Sequence, residues 1–259
     1  MKILSFNIRD FKKDEKSKNK INWFRNLRLK ELPDVVALQE SKCNEVSDAW
    51  MERVWGSEEF GFIQKPKVGK SGDMFLIWDA NVFTVDQAVE EIFGSSQAVR
   101  CKWKGYDTDT IITNVYGPHN DEGKKELWDS LEILMSYKDA GWVICGDFNE
   151  VRIESERLNS LFIERRAAMF NNFIEKMQLV EIPLLGKNFT RFSDDGVKLS
   201  KLDRFLVSED FLDSWGDMSA IALDRGTSDH CPILMRNKNL DFGPKPFRIF
   251  DAWFENEEV

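Results

Sequence analysis

Short apolar runs of strand length alternate with segments of helical periodicity along most of the chain. The runs 35–38 and 142–145 are apolar or nearly so throughout, which is typical of strands covered on both faces. By contrast, 122–137 and 160–177 repeat apolar residues at the spacing of amphipathic helices. Many short strands and about four helices predict an α/β fold in which sheets pack against each other with helices outside.

The chain reads as one domain followed by a tail of different composition. No boundary, internal repeat or low-complexity block is apparent before residue 236. The segment 237–259 contains G-P-K-P-F and ends in the acidic run E-N-E-E-V. We therefore expect a folded domain over 1–236 and a linker-like tail over 237–259.

Composition excludes several classes of protein. Hydrophobic residues make up 42% of the chain and charged residues 31%, which indicates a folded protein and argues against disorder. The apolar runs are too short to span a bilayer, and the run in M-K-I-L-S-F-N is too short for a signal peptide. We expect an intracellular protein that is not in a membrane. The four scattered cysteines form no C-x-x-C pair, so a structural zinc site is not expected.

The charge distribution bears on nucleic acid as a partner. A net charge of −9 argues against DNA binding, because such domains are often basic. Residues 10–30, however, contain eight Lys/Arg against three Asp/Glu, a local net charge of 8 − 3 = +5. This segment is either a solvated helix face or a set of phosphate contacts, and the sequence leaves both open.

The candidate chemistry lies where the apolar runs end. Asp147 and Asn149 follow 142–145 with the strand period of two, so we expect their side chains on the same side. The carboxylate can take a proton from water, and the amide can orient a substrate oxygen. Polar residues also stand at other predicted strand ends or within a strand, namely Asn7, Glu40, Tyr116, Asp203 and Ser228-Asp229-His230.

Together these residue types support hydrolysis of a phosphate ester. Glu40 and Asn7 offer the hard oxygen ligands that Mg²⁺ prefers. His230 follows Asp229, and an Asp–His pair keeps an imidazole oriented or charged. Any one of these residues could merely cap a turn, but the recurrence at strand ends is hard to obtain from structure alone.

Six motifs carry a resemblance to a known family. In chain order they are L-S-F-N, L-Q-E-S-K, N-V-Y-G-P, G-D-F-N, S-K-L-D-R-F-L-V-S and S-D-H-C-P-I. They resemble the endonuclease/exonuclease/phosphatase superfamily, and within it the apurinic-type endonuclease domain of plant non-LTR (LINE-type) retrotransposons. The tail G-P-K-P-F-R-I-F-D-A-W-F is similar to that plant group as well. The resemblance implies a four-layered α/β sandwich, in which two mixed sheets pack face to face with helices outside and the site at one end.

The resemblance also implies how metal and water would be handled. Glu40 would be the main Mg²⁺ ligand with Asn7 beside it, and Mn²⁺ is expected to substitute. Asp147 would activate the attacking water, and Asn149 would orient the water or the phosphate.

Further residues would serve the phosphate. By resemblance His230, paired with Asp229, would stabilise charge on the scissile phosphate. Asp203 would support metal or leaving-group chemistry. Tyr116 would contact the phosphate, with weaker contacts from Thr190 and Ser228.

The sequence departs from the family pattern at three positions. Arg9 stands where apurinic endonucleases carry an extra carboxylate that can bind metal, which puts a second metal in doubt. Asp73 stands where the plant elements usually have glycine, and Arg191 stands where an aromatic residue is common. We expect Asp73 and Arg191 to lie near the DNA and to alter its binding.

The resemblance implies a Mg²⁺-dependent DNA endonuclease that nicks one strand and leaves a 3′-hydroxyl to prime reverse transcription. In a full-length element a C-terminal reverse transcriptase would follow in the same chain, and the DNA substrate implies a nuclear location. One alternative is a phosphoesterase of the same superfamily that acts on a small phosphoester, such as an inositol phosphate or sphingomyelin. Another is a catalytically decayed fragment that folds or merely binds DNA.

Overall fold

The structure is a computed structural model that describes residues 1–11, 15–43, 46–66, 73–87, 95–136 and 140–237. Five α-helices lie within these residues, and none of them is long and apolar enough to cross a membrane. The helices are α1 (Glu15–Glu31), α2 (Asp48–Trp55), α3 (Asp121–Ser136), α4 (Glu164–Lys176) and α5 (Glu209–Trp215). The strands are β1 (Lys2–Asn7), β2 (Val35–Gln39), β3 (Phe60–Lys65), β4 (Met74–Asp79), β5 (Phe83–Gln87), β6 (Ser96–Trp103), β7 (Thr110–Tyr116), β8 (Gly141–Asp147), β9 (Arg157–Leu158), β10 (Leu179–Glu181), β11 (Leu184–Leu185), β12 (Arg191–Phe192), β13 (Leu199–Ser200), β14 (Asp203–Ser208), β15 (Met218–Ala222) and β16 (Ile233–Asn237).

Two large mixed sheets form the centre of the molecule. The first has seven strands in the order β11-β15-β16-β1-β2-β4-β3, and the second has six in the order β10-β14-β8-β7-β6-β5. The pairs β1–β2 and β7–β8 are parallel, and most of the other pairs are antiparallel. A small sheet, β12-β13-β9, lies apart from them.

Three hydrophobic clusters define four layers. One cluster combines side chains of both large sheets and fills the space between them. A second lies between the six-stranded sheet and helices α3 and α4, and a third lies between the seven-stranded sheet and helices α1 and α2. The order of layers is therefore helix, sheet, sheet, helix, which confirms the predicted fold.

The alternation of side chains decides which strand ends face the gap between the sheets. In β1, Ile3 packs between the sheets whereas Leu4 and Phe6 face the helices, so Asn7 points towards the gap. In β8, Val143 and Cys145 pack between the sheets and Asp147 follows them at the same period. Strands from both sheets thus deliver polar groups to one end of the gap.

A buried pair of amides ties the two sheets together near that end. Gln39 Nε2 of β2 donates to Asn114 Oδ1 of β7 at 2.6 Å. Asn114 Nδ2 reaches the backbone carbonyls of Leu38 and Phe75, each at 3.0 Å. These bonds join β2 and β4 of the seven-stranded sheet to β7 of the six-stranded sheet, and they hold the two sheets in one relative position.

Most predicted elements are confirmed, with shifted ends. The strand predicted over 201–207 begins at Asp203, because the amides of Lys201 and Leu202 bond to Glu156 O and Thr190 Oγ1 instead of to a neighbouring strand. The small sheet was not predicted, since its two-residue strands carry no periodicity. The predicted tail lies outside the described residues apart from Asn237, the last residue of β16.

Candidate active site

A cleft of about 430 Å³ opens at the end of the sandwich where the polar strand ends meet. Most of the predicted site residues line it, and the remaining ones, Thr190, Asp203 and Ser228, are buried beside it. The predicted residues that line the cleft are Asn7, Glu40, Tyr116, Asp147, Asn149, Asp229 and His230.

Asp147 lies at the centre of this group, at the end of β8. Gly146, just before it, has φ +143°, and a Cβ there would lie 1.9 Å from the carbonyl oxygen of Val115. Only glycine allows so close an approach. The Asp147 carboxylate is almost fully buried and accepts hydrogen bonds from Asn7 Nδ2 at 3.0 Å and from the Asn149 amide at 2.9 Å.

His230 bridges two carboxylates. Its Nδ1 lies 2.9 Å from Asp203 Oδ2, and its Nε2 lies 3.7 Å from Asp147 Oδ2. Strand β14 pairs with β8 so that Asp203 stands directly opposite Asp147, which explains why residues so distant in sequence share one imidazole.

The charges of this group are coupled. Burial alone would lower the pKa of His230, but Asp203 and Asp147 together raise the pKa to about 9. Burial raises the pKa of Asp147, an effect that the nearby His230 opposes. His230 is therefore an imidazolium at neutral pH, held between two carboxylates.

The predicted pair of His230 with Asp229 is wrong, and Asp203 is the hydrogen-bond partner. The Asp229 carboxylate instead accepts a hydrogen bond from the Arg9 guanidinium and lies 3.4 Å from Arg191 Nε. Successive side chains diverge, so the residue next to His230 in sequence is poorly placed to reach its ring.

Replacement of Asp203 should therefore change His230 much more than replacement of Asp229. We expect Asp203→Asn to lower the pKa of His230 markedly, because it removes both the hydrogen bond and the strongest opposing charge. Asp229→Asn removes only a weaker charge effect and serves as the matched control. NMR titration of the imidazole resonances measures both, and an equal or larger shift in Asp229→Asn would contradict this assignment.

Glu40 and Asn7 also line the cleft, and their side-chain oxygen atoms could serve as metal ligands. Glu40 follows β2 with φ +56° and lines the cleft. Tyr116 has its pKa raised, first by burial and then by the Glu40 and Asp147 charges. Among the described residues Asn7 Oδ1 is buried without a hydrogen-bond partner, although Asn7 Nδ2 is bonded to Asp147. An orphaned amide oxygen near a carboxylate fits a hard divalent cation.

A second group of side chains has potential ligand atoms close enough together to bind one metal ion. Asp147, Asp203 and His230 each offer one atom, and these atoms lie within 4.8 Å of one another. This set includes an imidazole nitrogen, whereas Mg²⁺ prefers ligands that are all oxygen atoms. The oxygen donors of Glu40 and Asn7 therefore suit Mg²⁺ better.

Asp73 holds the turn that follows Glu40. Its carboxylate accepts hydrogen bonds from Ser41 Oγ and from the amides of Lys42 at 2.7 Å and Cys43 at 2.8 Å. Asp73 is only 2% exposed, and its expected effect on DNA binding stays a prediction. It satisfies the backbone of a turn in which both Glu40 and Lys42 have positive φ.

Asn149 lines the cleft for a different reason from the one predicted. Strand β8 ends at Asp147, and Asn149 has φ +49° in the loop that follows. Its Nδ2 donates to Gly117 O at 2.8 Å, and its carbonyl accepts from Lys124 Nζ at 2.7 Å. Asn149 is therefore positioned by loop contacts and not by the strand period.

Thr190 and Ser228 are buried beside the cleft, and their predicted contacts with phosphate stay a prediction. Thr190 Oγ1 accepts hydrogen bonds from the amides of Leu202 and Asp203, both at 3.0 Å. Ser228 Oγ donates to the carbonyl of Asn7 at 2.8 Å and accepts from the amide of His230 at 3.1 Å. Both hydroxyls hold site residues in place.

Several residues that line the cleft were not predicted, namely Arg157, Arg166, His119, Ser200 and Leu202. Arg157 belongs to the small sheet and Arg166 to the polar face of α4, and neither location carries a motif. Lys124, a buried lysine of α3, also escaped notice. The sequence carried one signal for Lys124, which is its position within the amphipathic pattern of 122–137. A lysine buried on such a helix needs a charged or polar partner.

Comparison with known proteins identifies the family of this chain. The chain matches the Endonuclease/Exonuclease/phosphatase family over residues 4–230 and belongs to that family. Its relatives include a DNA-(apurinic or apyrimidinic site) endonuclease from Dictyostelium discoideum, which is 28% identical over 263 residues. That alignment covers 90% of this chain and 69% of the relative.

Two solved structures share the fold. The AP endonuclease LMAP from Leishmania major superposes with a TM-score of 0.69 and 18% identity, covering 90% of this chain and 86% of that one. The endonuclease domain of TRAS1, a telomere-specific non-LTR retrotransposon, has a TM-score of 0.64 and 13% identity, covering 90% and 96%. An AP endonuclease and a retrotransposon endonuclease domain are thus both structural neighbours of this chain.

Proposed function

We propose that the protein is a Mg²⁺-dependent endonuclease that hydrolyses a phosphodiester bond in one strand of duplex DNA. The observation that carries this proposal is the buried array of Asp203, His230 and Asp147, with Asn149 beside it. Hydrolysis of a phosphodiester requires a base for water, a cation for the phosphate and a donor for orientation. The array contains one group of each kind.

Each side chain has a defined part in the proposed reaction. Asp147 accepts the proton of the attacking water, a task that suits a carboxylate whose pKa is raised by burial. The His230 imidazolium stabilises the negative charge that develops on the phosphate, and Asp203 keeps it oriented and charged. Asn149 and Tyr116 lie in the same cleft and orient the phosphate oxygens.

Glu40 and Asn7 are the residues that would hold Mg²⁺ or Mn²⁺. When bound, the metal supplies Lewis-acid stabilisation of the transferred phosphoryl group. Tyr116, whose pKa the Glu40 charge helps to raise, lies beside Glu40, and Asp147 accepts a hydrogen bond from Asn7 and positions it.

DNA is a better substrate for this cleft than a small phosphoester. The cleft is lined by arginines although the chain is acidic overall, and guanidinium groups suit a chain of phosphates. The named relatives include DNA endonucleases. We place the protein within a plant LINE-type element on its motifs, so that a reverse transcriptase would follow in the full-length chain and the site of action would be nuclear.

Nicking of supercoiled plasmid tests the function. With Mg²⁺ or Mn²⁺ we expect open-circle product, and none after addition of EDTA. A folded protein that leaves the plasmid intact would refute the nuclease. A panel of soluble phosphoesters would then separate a small-molecule phosphoesterase from a decayed fragment.

Glu40→Gln should raise the Mg²⁺ concentration that gives half-maximal nicking by at least about tenfold, because it removes the charged ligand. A titration of nicking against Mg²⁺ measures this concentration. Glu59→Gln is the matched control, because Glu59 is exposed and lies just before β3 at the far end of the sheet. This control should leave the half-maximal Mg²⁺ concentration unchanged. Identical Mg²⁺ curves for Glu40→Gln and the wild type would exclude Glu40 as the main ligand.

A further inference from the structure

Arginines line the cleft beside the catalytic group, although the chain carries a net charge of −9. Arg9 follows β1, Arg157 lies in β9, Arg166 in α4 and Arg191 in β12. Four separate elements therefore bring guanidinium groups to one cleft. Such convergence needs an explanation in an acidic protein, because like charges repel one another.

The carboxylates that contact these arginines do not neutralise them fully. Three carboxylates are each shared by two basic side chains, so that these contacts join six positive charges to three negative ones. The shared carboxylates are Asp229 with Arg9 and Arg191, Glu150 with Lys124 and Arg157, and Asp121 with Arg165 and Arg166.

Arg157 is the least satisfied of these cations. Its guanidinium lies 3.8 Å from Glu150, whose other oxygen is closer to Lys124 at 3.2 Å. Its Nε is buried and makes no hydrogen bond within the described part of the chain. Burial lowers the pKa of Arg157, Glu150 opposes this effect, and Arg166 and Arg191 lower the pKa further. An anion in the cleft would relieve the repulsion between these guanidinium groups.

We propose that Arg157, Arg166 and Arg191 form a subsite for a backbone phosphate other than the scissile one. This subsite rests on the proposed nuclease function and extends it. The planar fork of a guanidinium binds two phosphate oxygens at once, and several forks fix the direction in which a strand crosses the cleft.

The subsite also explains why the cleft would select a polynucleotide. The scissile phosphate lies at the His230 and Asp147 group, so the arginine subsite engages a neighbouring phosphate of the same strand. A small phosphoester has no second phosphodiester to place there. Preference for DNA over a small substrate would then come from this subsite, and not from the catalytic residues.

The salt dependence of DNA binding tests the subsite directly. Affinity for a fluorescein-labelled duplex is measured by anisotropy at several salt concentrations in EDTA, so that no cleavage occurs. For Arg157→Gln and Arg166→Gln we expect weaker binding and a slope of log K against log salt reduced by about 0.9 each. Arg157→Lys keeps the charge and should retain most of the slope.

Lys104→Gln is the matched control for loss of one positive charge. Lys104 is exposed and precedes β7, whose other end reaches the cleft, so it lies roughly 20 Å away. Wild-type slopes in both arginine variants would overturn the subsite. Thermal unfolding verifies that each variant is folded, and Arg191→Gln replaces Arg166→Gln if loss of the Asp121 contact unfolds the protein.

The two proposals fail in different ways. A wild-type protein that nicks plasmid while its arginine variants bind DNA with unchanged slopes refutes the subsite alone. A wild-type protein that binds DNA with the predicted slopes but does not nick refutes the nuclease and leaves the phosphate subsite standing. Absence of any duplex binding by the wild type refutes both.

Discussion

Asp147→Asn is expected to reduce plasmid nicking by roughly 10²- to 10⁴-fold, the range that loss of a positioned general base produces. The amide has nearly the same shape as the carboxylate but does not accept a proton from water. The contacts with Asn7 and with the amide of Asn149 place this residue at the centre of the cleft. The rate of open-circle formation at saturating Mg²⁺ measures the effect.

The same substitution should not unfold the protein. Burial disfavours the charged form of Asp147, so a neutral side chain removes a desolvation cost that the fold otherwise carries. We expect the melting temperature of Asp147→Asn to equal or exceed that of the wild type. Asp213→Asn on α5, near the opposite end of β8, is the control and should retain activity. Nicking by Asp147→Asn at the wild-type rate would remove Asp147 from the reaction.

Arg204→Met is expected to cost about 3–5 kcal/mol of folding stability, because it removes a buried charge whose hydrogen bonds satisfy two largely buried carboxylates. The Arg204 side chain is fully buried between Glu156, at 2.9 Å, and Glu181, at 2.8 Å. Lys201 also lies 2.6 Å from Glu181. Chemical denaturation measures the loss. A triple variant that adds Glu156→Gln and Glu181→Gln should recover only part of it, since Lys201 and Arg152 then lose their carboxylate partners.

This ion cluster also predicts a pH dependence of stability. Burial alone would raise the pKa of Glu181, but Arg204, Arg152 and Lys201 lower it from 4.5 to about 2. A carboxylate with a lowered pKa stabilises the fold above pH 4.5, and this stabilisation is lost as the pH falls from 4.5 towards 2. Wild-type stability should therefore fall across that window, and Glu181→Gln should fall less steeply. Parallel curves for the two proteins would contradict the assignment.

The apolar runs of the sequence were sufficient to locate strand ends that line the cleft. Asn7, Glu40 and Asp147 follow apolar runs, and side-chain alternation turns Asn7 and Asp147 towards the gap between the sheets. Glu40 has the parity of the helix-facing Val36 and Leu38, and it lines the cleft from a position after β2 with φ +56°. This reasoning uses only local periodicity, which is why it succeeds for residues at the ends of core strands.

Contacts across the sheets could not be predicted in the same way. The partner of His230 is Asp203 because β14 is antiparallel to β8, and no feature near His230 reveals that register. Sequence proximity favoured Asp229, which binds arginines instead. The hydrogen bonds from backbone amides to Asp73 were likewise not apparent from the sequence, because the amides belong to a turn about 30 residues earlier in the chain.

The amide pair between the sheets has a consequence for how this chain tolerates change. Glu40 follows Gln39 directly, and Tyr116 lies on the same face of β7 as Asn114, so each amide is coupled to a cleft residue of its own sheet. Sliding of one sheet past the other would separate Asn7 and Glu40 of the seven-stranded sheet from Asp147 of the six-stranded sheet. An apolar replacement of either amide leaves its partner buried and unsatisfied. Substitutions at these two positions should therefore be tolerated in pairs and rejected singly.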